Sequence, residues 1–261
     1  MQFNPTQIET VDGWLHPREA RRLFNLARQC TGRGVIVEIG SWKGKSTICL
    51  AAGSLAGSRI KVHAIDPHTG SPQHLEMFGD KIWTFEEFKQ NIQRAGVDGV
   101  VEPHVDFSQA VAKTFSDPVE MIFIDGLHEY DGVKRDFDDW FPKVVDGGTM
   151  AFHDTTCWPG VIQVMKEDVF RSRHFRKIRI AASVVHAQKV AANTALERAG
   201  NRVMLIVFMF HAWKDRFIWR LLHHYLDSRF TRAAIAWAKK RKQPASAPAP
   251  EAVSNFSGNA S

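Results

Sequence analysis

Residues 35–47 read VIVEIGSWKGKST, and this stretch decides the fold. Its apolar first half is typical of a buried strand that ends near Glu38. Gly40 and Gly44 then permit a tight turn and a close approach of the backbone to a ligand. The helical pattern that starts at Lys45 places backbone amides at the same point. The stretch therefore indicates a strand, a nucleotide-type binding loop and a helix.

Short apolar runs recur along the chain and alternate with segments of helical length and pattern. The runs cover residues 35–39, 60–65, 100–105, 121–124 and 149–152. The helical segments include residues 16–29, 45–55, 83–95 and 130–145. Continuous apolar strands that alternate with helices indicate a parallel sheet covered on both faces. We therefore predict a Rossmann-like, doubly wound α/β fold that binds its ligands at the carboxyl ends of the strands.

The chain changes character toward its carboxyl end. Residues 175–182 and 203–210 are predicted to be closing edge strands, and residues 212–242 to form one or two helices. Residues 243–261 are rich in Pro, Ala, Ser and Asn, as in a disordered tail. We therefore assign 1–210 to a cofactor-binding domain, 211–242 to a helical extension and 243–261 to the tail.

The positive charge of the chain is local. Residues 201–242 hold ten Lys/Arg against two Asp/Glu, whereas the whole chain has a net charge of +6. The extension 211–242 combines aromatic and cationic faces, as in a helix that lies on an anionic membrane. A helix packed on the core and a dimer contact are the alternatives. No apolar run is long enough to span a bilayer, so we expect a cytoplasmic protein, peripheral at the inner membrane face if this helix binds lipid.

Residues around the glycine loop and at later strand ends supply the candidate cofactor contacts. Glu38 suits the ammonium group or ribose hydroxyls of S-adenosylmethionine (SAM). Asp66 follows the loop by about twenty residues, the interval at which an acidic side chain meets a ribose diol, although a turn cap before Pro67 is the alternative. Asp106 and Ser108 have a similar alternative as helix caps. The predicted contacts are Glu38, Gly40, Ser41, Gly44, Ser46, Asp66, Asp106, Phe107, Ser108 and Asp125.

A second interpretation of the loop rests on Gly44, Lys45 and Ser46. A phosphate-binding P-loop ends in the same residue types, but it requires four residues between its glycines. Only three residues separate Gly40 from Gly44. A P-loop kinase or NTPase is therefore the alternative class, and binding of SAM but not ATP separates the two.

Two further strand ends carry carboxylates and histidines. Asp125 and His128 follow the predicted fourth strand, and His153 and Asp154 follow the fifth. Adjacent strand ends bring the two carboxylates together, which is what a hard ion such as Mg²⁺ requires. Such an ion would lower the pKa of a substrate hydroxyl, with His128 or His153 accepting its proton.

We therefore name Asp125, His128 and His153 as catalytic candidates and Asp125, His153 and Asp154 as metal candidates. In the alternative, His153 is a packing residue and Asp125 anchors the cofactor or the loop. Separate replacement of Asp125 and Asp154 by Asn distinguishes the two, because a metal role predicts a larger effect on turnover than on cofactor binding.

Four stretches taken together, residues 37–46, 65–67, 124–130 and 152–155, resemble the class I SAM-dependent methyltransferases. The resemblance covers roughly residues 12–170 and is to small bacterial O-methyltransferases and relatives of cephalosporin hydroxylase and macrocin O-methyltransferase. It implies a seven-stranded sheet and, in metal-dependent relatives, acidic ligands at the positions matched by Asp125 and Asp154. The sequence departs from the pattern at His153, where some relatives have a carboxylate, and at His128, where catechol-type enzymes have a lysine base.

The resemblance implies SAM-dependent O-methylation of a sugar, glycan or natural-product hydroxyl, assisted by Mg²⁺ in the metal-dependent form. A small-molecule or glycan acceptor is the expected partner, and membrane contact would favour a lipid-linked glycan. A noncatalytic SAM-fold module that associates with membranes is the remaining alternative. Nucleic acid is a weaker candidate because the sequence has no recognised RNA-binding module. The sequence is also compatible with a homo-oligomer.

Overall fold

The computed structural model describes residues 6–78 and 82–226, with one seven-stranded sheet at the centre. The strands are β1 Val35–Ile39, β2 Val62–Ile65, β3 Val101–His104, β4 Val119–Ile124, β5 Val144–Phe152, β6 Phe175–Ala181 and β7 Val184–Lys189. Their order across the sheet is β3-β2-β1-β4-β5-β7-β6. The first five strands are parallel, and β7 is antiparallel to both of its neighbours. The predicted doubly wound, mostly parallel sheet is confirmed.

Helices cover both faces of this sheet. They are α1 Thr6–Glu9, α2 Pro17–Arg28, α3 Lys45–Ala56, α4 Pro72–Phe78, α5 Phe85–Arg94, α6 Ser108–Thr114, α7 Tyr130–Trp140, α8 Pro159–Val164 and α9 Ala195–Leu226. Short 3-10 turns occur at Asp98–Val100 and Phe141–Lys143, and a π-helical segment at Met165–Phe170 follows α8. Within the described residues, no helix is both long and apolar enough to cross a membrane.

Side chains of the strands contribute to two hydrophobic cores, because successive side chains point to opposite faces of the sheet. In β4, Met121 and Phe123 pack with the helices α2 and α3. The alternate residues Ile122 and Ile124 pack on the other face with α7 and α8. Burial on both faces explains why these strands are continuous apolar runs rather than alternating ones.

The predicted edge strand at 203–210 is wrong, because these residues belong to the long helix α9. Asn201, Phe208 and Ala212 face the core at helical spacing, whereas Val203, Ile206 and Phe210 are exposed. The apolar run at 203–210 therefore contains residues from both the buried and the exposed face of one helix. The sheet is closed instead by β6, which was predicted, and by β7, which was not.

The predicted boundary at residues 210 and 211 falls inside α9, which is continuous there. The chain divides into two compact units at Arg216 and Phe217. The described part of the second unit, residues 217–226, is helical. The rest of the predicted extension and the predicted tail lie outside the described residues, so the assignment of 211–242 and 243–261 stays a prediction.

Candidate active site

The glycine loop between β1 and α3 has a left-handed backbone at three positions. Gly40 and Gly44 have φ angles of 86° and 90°, and Trp42 between them has a φ of 45°. A Cβ atom added to Gly40 would lie 2.0 Å from the carbonyl oxygen of Asp125. The Gly40 amide donates to the carbonyl of Ile65 at 2.9 Å. Gly40 therefore joins three neighbouring strands at their carboxyl ends.

We expect Gly40→Ala to lower the free energy of unfolding by roughly 2–3 kcal/mol, because the left-handed backbone and the contact with Asp125 both oppose a side chain. Urea denaturation measures the change. Gly200→Ala is the matched control, since no atom lies within 4 Å of its added Cβ. In α9 this control should be neutral or gain up to about 1 kcal/mol. Equal stability of the two variants would contradict the strain argument.

Asp66, at the end of β2, holds the glycine loop in place. Its carboxylate accepts hydrogen bonds from the backbone amides of Trp42 at 2.7 Å and His68 at 2.6 Å. The turn-cap alternative is therefore part of its role. A carboxylate oxygen can accept more than one hydrogen bond, so contact with a ribose stays a prediction.

Glu38 and Ser46 lie beneath the loop rather than on its surface. The Glu38 side chain is fully buried, and its Oε2 atom accepts a hydrogen bond from the Thr47 hydroxyl. Burial raises the pKa of Glu38 to about 8, partly offset by the hydroxyls of Ser46 and Thr47. In this arrangement Glu38 supports the loop from below, and its predicted cofactor contact is untested. Ser41 is also buried, and its hydroxyl makes no hydrogen bond to the described residues.

The residues after β3 separate into exposed and buried members. Phe107 is 60% exposed, and Asp106 accepts its backbone amide at 2.7 Å. Ser108 is buried and accepts a hydrogen bond from the Trp140 indole at 2.9 Å. Asp106 and Phe107 therefore remain accessible to a ligand, whereas the Ser108 hydroxyl is already engaged in the core.

His153 lies buried between two carboxylates at the end of β5. Its Nδ1 atom is 3.1 Å from Asp125 Oδ1, and its Nε2 atom is 3.1 Å from Glu19 Oε2. A neutral imidazole donates only one hydrogen bond, so two carboxylate partners require the doubly protonated cation. Burial opposes the charge, but Asp125, Glu19 and Asp154 raise the pKa of His153 well above its ordinary value.

This geometry bears on two predictions for His153. Each ring nitrogen faces a carboxylate and carries a proton in the doubly protonated ring, which argues against a metal-ligand or proton-acceptor role. Both roles stay predictions, and in this geometry His153 holds Asp125 by a hydrogen bond. The sequence analysis missed Glu19, which reaches the site from the first turn of α2. The available signal was its place three residues after His16, where it forms a capping box.

Three other side chains converge on the open side of this centre. One ligand atom each from Asp125, His128 and Asp154 lies within 4.8 Å of the other two. His128 Nε2 is 3.4 Å from Asp154 Oδ2, and the His128 ring stacks on Trp158 at 4.8 Å. Neither nitrogen of His128 has a hydrogen bond to the described residues. The structure therefore brings together the two predicted carboxylates, with His128 rather than His153 as the available imidazole.

A family model matches the central part of this chain. Residues 37–155 match the model of a family described as a methyltransferase domain. The match covers a little under half of the chain, and the β3-β2-β1-β4-β5-β7-β6 sheet is that of the class I SAM-dependent methyltransferase fold. Both findings favour a methyltransferase over the P-loop interpretation. Lys45, which would meet a phosphate in that interpretation, donates instead to the carbonyl of Gly13 at 3.0 Å.

Solved structures and one curated protein share parts of the chain. The O-methyltransferase TomG from Streptomyces achromogenes, solved with SAM and involved in tomaymycin synthesis, is 17% identical with a TM-score of 0.51 over 68% of this chain and 82% of its own. The O-methyltransferase NovP is 17% identical with a TM-score of 0.57 over 66% and 80%. A putative O-methyltransferase from Klebsiella pneumoniae is 15% identical with a TM-score of 0.53 over 73% and 92%. The TM-scores of these three structures show that they share a common fold with this chain.

The curated protein is the uncharacterized protein y4gI of Sinorhizobium fredii (strain NBRC 101917 / NGR234). It is 32% identical over 132 residues, which are 46% of this chain and 13% of that protein. The chain thus spans a small part of the length of this relative. The shared segment assigns no activity to this chain.

Proposed function

We propose that this chain transfers the methyl group of SAM to a hydroxyl of a small molecule or glycan. The observation that carries the proposal is the contact between the glycine loop and the acidic centre. The close approach of Gly40 to the Asp125 carbonyl sets the cofactor loop directly beside Asp125, His128 and Asp154. Proton acceptors and metal ligands thus lie next to the loop, as transfer to a hydroxyl requires.

The residues around the loop fit SAM by their chemistry. Bound SAM supplies a methyl group on a sulfonium centre. Ser41 offers a buried hydroxyl with no hydrogen bond to the described residues, and α3 begins at Lys45, after Gly44, without a side-chain cap. The uncapped backbone amides in the first turn of α3 favour a negatively charged group, such as the carboxylate of SAM. We assign Asp66 to the ribose and the exposed pair Asp106 and Phe107 to the adenine.

Asp125 and Asp154 fit a divalent ion such as Mg²⁺, because hard ions prefer carboxylate oxygens. Burial raises the pKa of Asp125, and the nearby charge of Asp154 adds to the rise, against the opposing effect of His153. A bound cation would relieve this repulsion and lower the pKa of an acceptor hydroxyl. His128 then accepts the proton, since its ring nitrogens lack hydrogen bonds to the described residues.

Aromatic side chains near the centre suit an acceptor that contains a ring. His74 stacks between Trp42, at 4.1 Å, and Trp14, at 5.5 Å, and Trp14 is 59% exposed. Charges on Asp66 and His128 influence the pKa of His74, which supports a position of the stack near the site. Apolar ring faces around a few polar groups are typical of small-molecule pockets. A sugar or a cyclic natural product with a free hydroxyl is therefore the proposed acceptor.

Calorimetric titration tests the cofactor assignment first. We expect the full chain to bind SAM at micromolar concentration, with and without Mg²⁺, and not to bind ATP. Asp66→Asn should weaken SAM binding by at least about tenfold, since it removes a charge that holds the loop and the ribose. Exposed Asp106→Asn should have a smaller effect. Absence of SAM binding by the folded wild-type protein would sink the proposal.

We also infer peripheral contact with a membrane through the exposed face of α9. This face carries Val203, Ile206, Phe210 and Trp213, at the spacing of one helical stripe. We expect Ile206→Ser combined with Phe210→Ser to reduce cosedimentation with anionic vesicles severalfold. Leu75→Ser, in the separate helix α4 and 41% exposed, is the control. Equal sedimentation of all three proteins would remove this idea, and a loss of dimer in the double variant would show that a second copy covers the face.

A further inference from the structure

Two neighbouring strands at the edge of the sheet present three potential metal ligands on one face. His63 of β2 is in register with Glu102 of β3, and His104 follows two residues later. Residues two apart on a strand share a face, so the three side chains project to the same side. One ligand atom of each lies within 4.8 Å of the other two.

The two imidazoles already meet at their nitrogens. His63 Nδ1 is 2.9 Å from His104 Nε2, so one of these atoms must present a lone pair to the other. His63 is almost fully buried, and its second nitrogen has no hydrogen bond to the described residues. Burial lowers the pKa of His63, which favours the neutral ring. Neutral imidazole is the form that binds metals.

The cluster opens into a pocket of about 430 Å³ between β3 and α6, which is also lined by Asp106, Thr114 and Phe115. Glu102 pairs there with Lys61 at 2.6 Å. Both side chains of this ion pair are about half exposed, so its rupture costs little. The pocket therefore offers access to an ion and a carboxylate that can turn toward it.

We propose that His63, Glu102 and His104 form a binding site for a borderline divalent ion such as Zn²⁺. Two imidazoles and one carboxylate, with water in a fourth position, are a ligand set that this ion accepts. Binding replaces the proton shared by the two rings and releases it to solvent. Zn–N bonds of about 2.0–2.1 Å in a tetrahedron require the two nitrogens to separate to roughly 3.3 Å, a shift of a few tenths of an ångström.

This site is distinct from the acidic centre of the proposed methyl transfer. Its ligands come from β2 and β3, whereas Asp125, His128 and Asp154 follow β4 and β5, and β1 lies between the two pairs of strands. The ligand types also differ, because the nitrogen-rich set favours Zn²⁺ and the paired carboxylates favour Mg²⁺. The two sites can therefore be separated by variant and by ion.

Zinc titration of the untagged full chain, stripped with EDTA and buffered with excess Mg²⁺, tests the proposal. We expect one equivalent of Zn²⁺ to bind, and His104→Gln to weaken this affinity by at least about tenfold. Asp154→Asn and His174→Gln, an imidazole remote from the cluster in sequence, should leave it unchanged. Co²⁺ in place of Zn²⁺ should give the visible absorption of a four-coordinate nitrogen and oxygen site, lost in His104→Gln.

Three outcomes would overturn the site. The first is an unchanged Zn²⁺ affinity in a His104→Gln variant that has a wild-type circular dichroism spectrum. The second is a loss of Zn²⁺ binding in Asp154→Asn instead. The third is a His174→Gln variant that weakens Zn²⁺ binding as much as His104→Gln does. Glu102→Gln keeps the test independent of the buried rings, because its side chain is partly exposed and its loss should not unfold the sheet. Glu102→Gln should weaken Zn²⁺ binding severalfold.

Discussion

Replacement of Asp125 by Asn should lower kcat/KM for methyl transfer by roughly two to four orders of magnitude. The variant keeps the size of the side chain and its hydrogen bond to His153 but removes the negative charge that a cation and the reacting hydroxyl require. SAM affinity should fall much less, because the glycine loop contacts the Asp125 backbone rather than its carboxylate. Initial rates and calorimetry on the same preparation separate the two effects.

Asp98→Asn is the matched control for this variant. Asp98 is exposed in the short turn before β3 and lies outside the acidic centre, so its replacement should leave turnover unchanged. Removal of metal with EDTA should mimic Asp125→Asn and be reversed by Mg²⁺. If Asp125→Asn keeps full turnover with any acceptor that the wild-type protein methylates, the carboxylate has no role in the reaction.

Replacement of Glu19 by Gln should lower the free energy of unfolding by roughly 3–5 kcal/mol, the cost of removing one partner from a buried ion pair. Glu19 accepts hydrogen bonds from the amide and hydroxyl of Ser183, both at 2.7 Å, and from the His16 amide at 2.8 Å. It also faces the imidazolium of His153. The Gln variant can keep only part of this set and leaves the buried cation with less compensation.

The loss should depend on pH in a defined direction. Burial raises the pKa of Glu19, but the hydrogen bond and charge of His153 and the bonds from His16 and Ser183 outweigh it, so this pKa is lowered. The contribution of Glu19 to the free energy of unfolding is complete above its unfolded pKa of 4.5. It is lost as the pH falls through the pKa of Glu19 in the folded protein. The raised pKa of His153 gives a contribution that is complete below 6.5 and is lost as the pH rises toward the folded value. The difference between wild type and variant should therefore be largest between pH 5 and 6.5.

Urea denaturation at several pH values measures this difference. Glu197→Gln is a close control, since Glu197 also accepts the amide of a residue three positions earlier at a helix start, but its side chain is partly exposed. Its loss should be small and nearly independent of pH between 5 and 8. A Glu19→Gln variant no less stable than Glu197→Gln would contradict the buried ion pair.

Local patterns were sufficient for much of the fold and for part of the site. The run that ends at Glu38, the glycines at 40 and 44 and the carboxylates at 66, 125 and 154 all lie where the alternation of strands and helices predicts. Strand ends share one edge of a parallel sheet, so their neighbourhood follows from chain order. The same patterns could not separate a buried strand from one side of a helix at 203–210, because a short apolar run fits both.

The sequence by itself determined the class of fold, the glycine loop and the pairing of Asp125 with Asp154. These depend on periodicity, turn residues and strand order, which are readable along the chain. Only the tertiary structure decided that Glu19 and Asp125 enclose His153, that His128 lies beside Asp154 in the acidic centre, and that His63, Glu102 and His104 face one pocket. Those relations depend on strand register and on which helix packs over which strand end, and both are set by long-range contacts between distant parts of the chain.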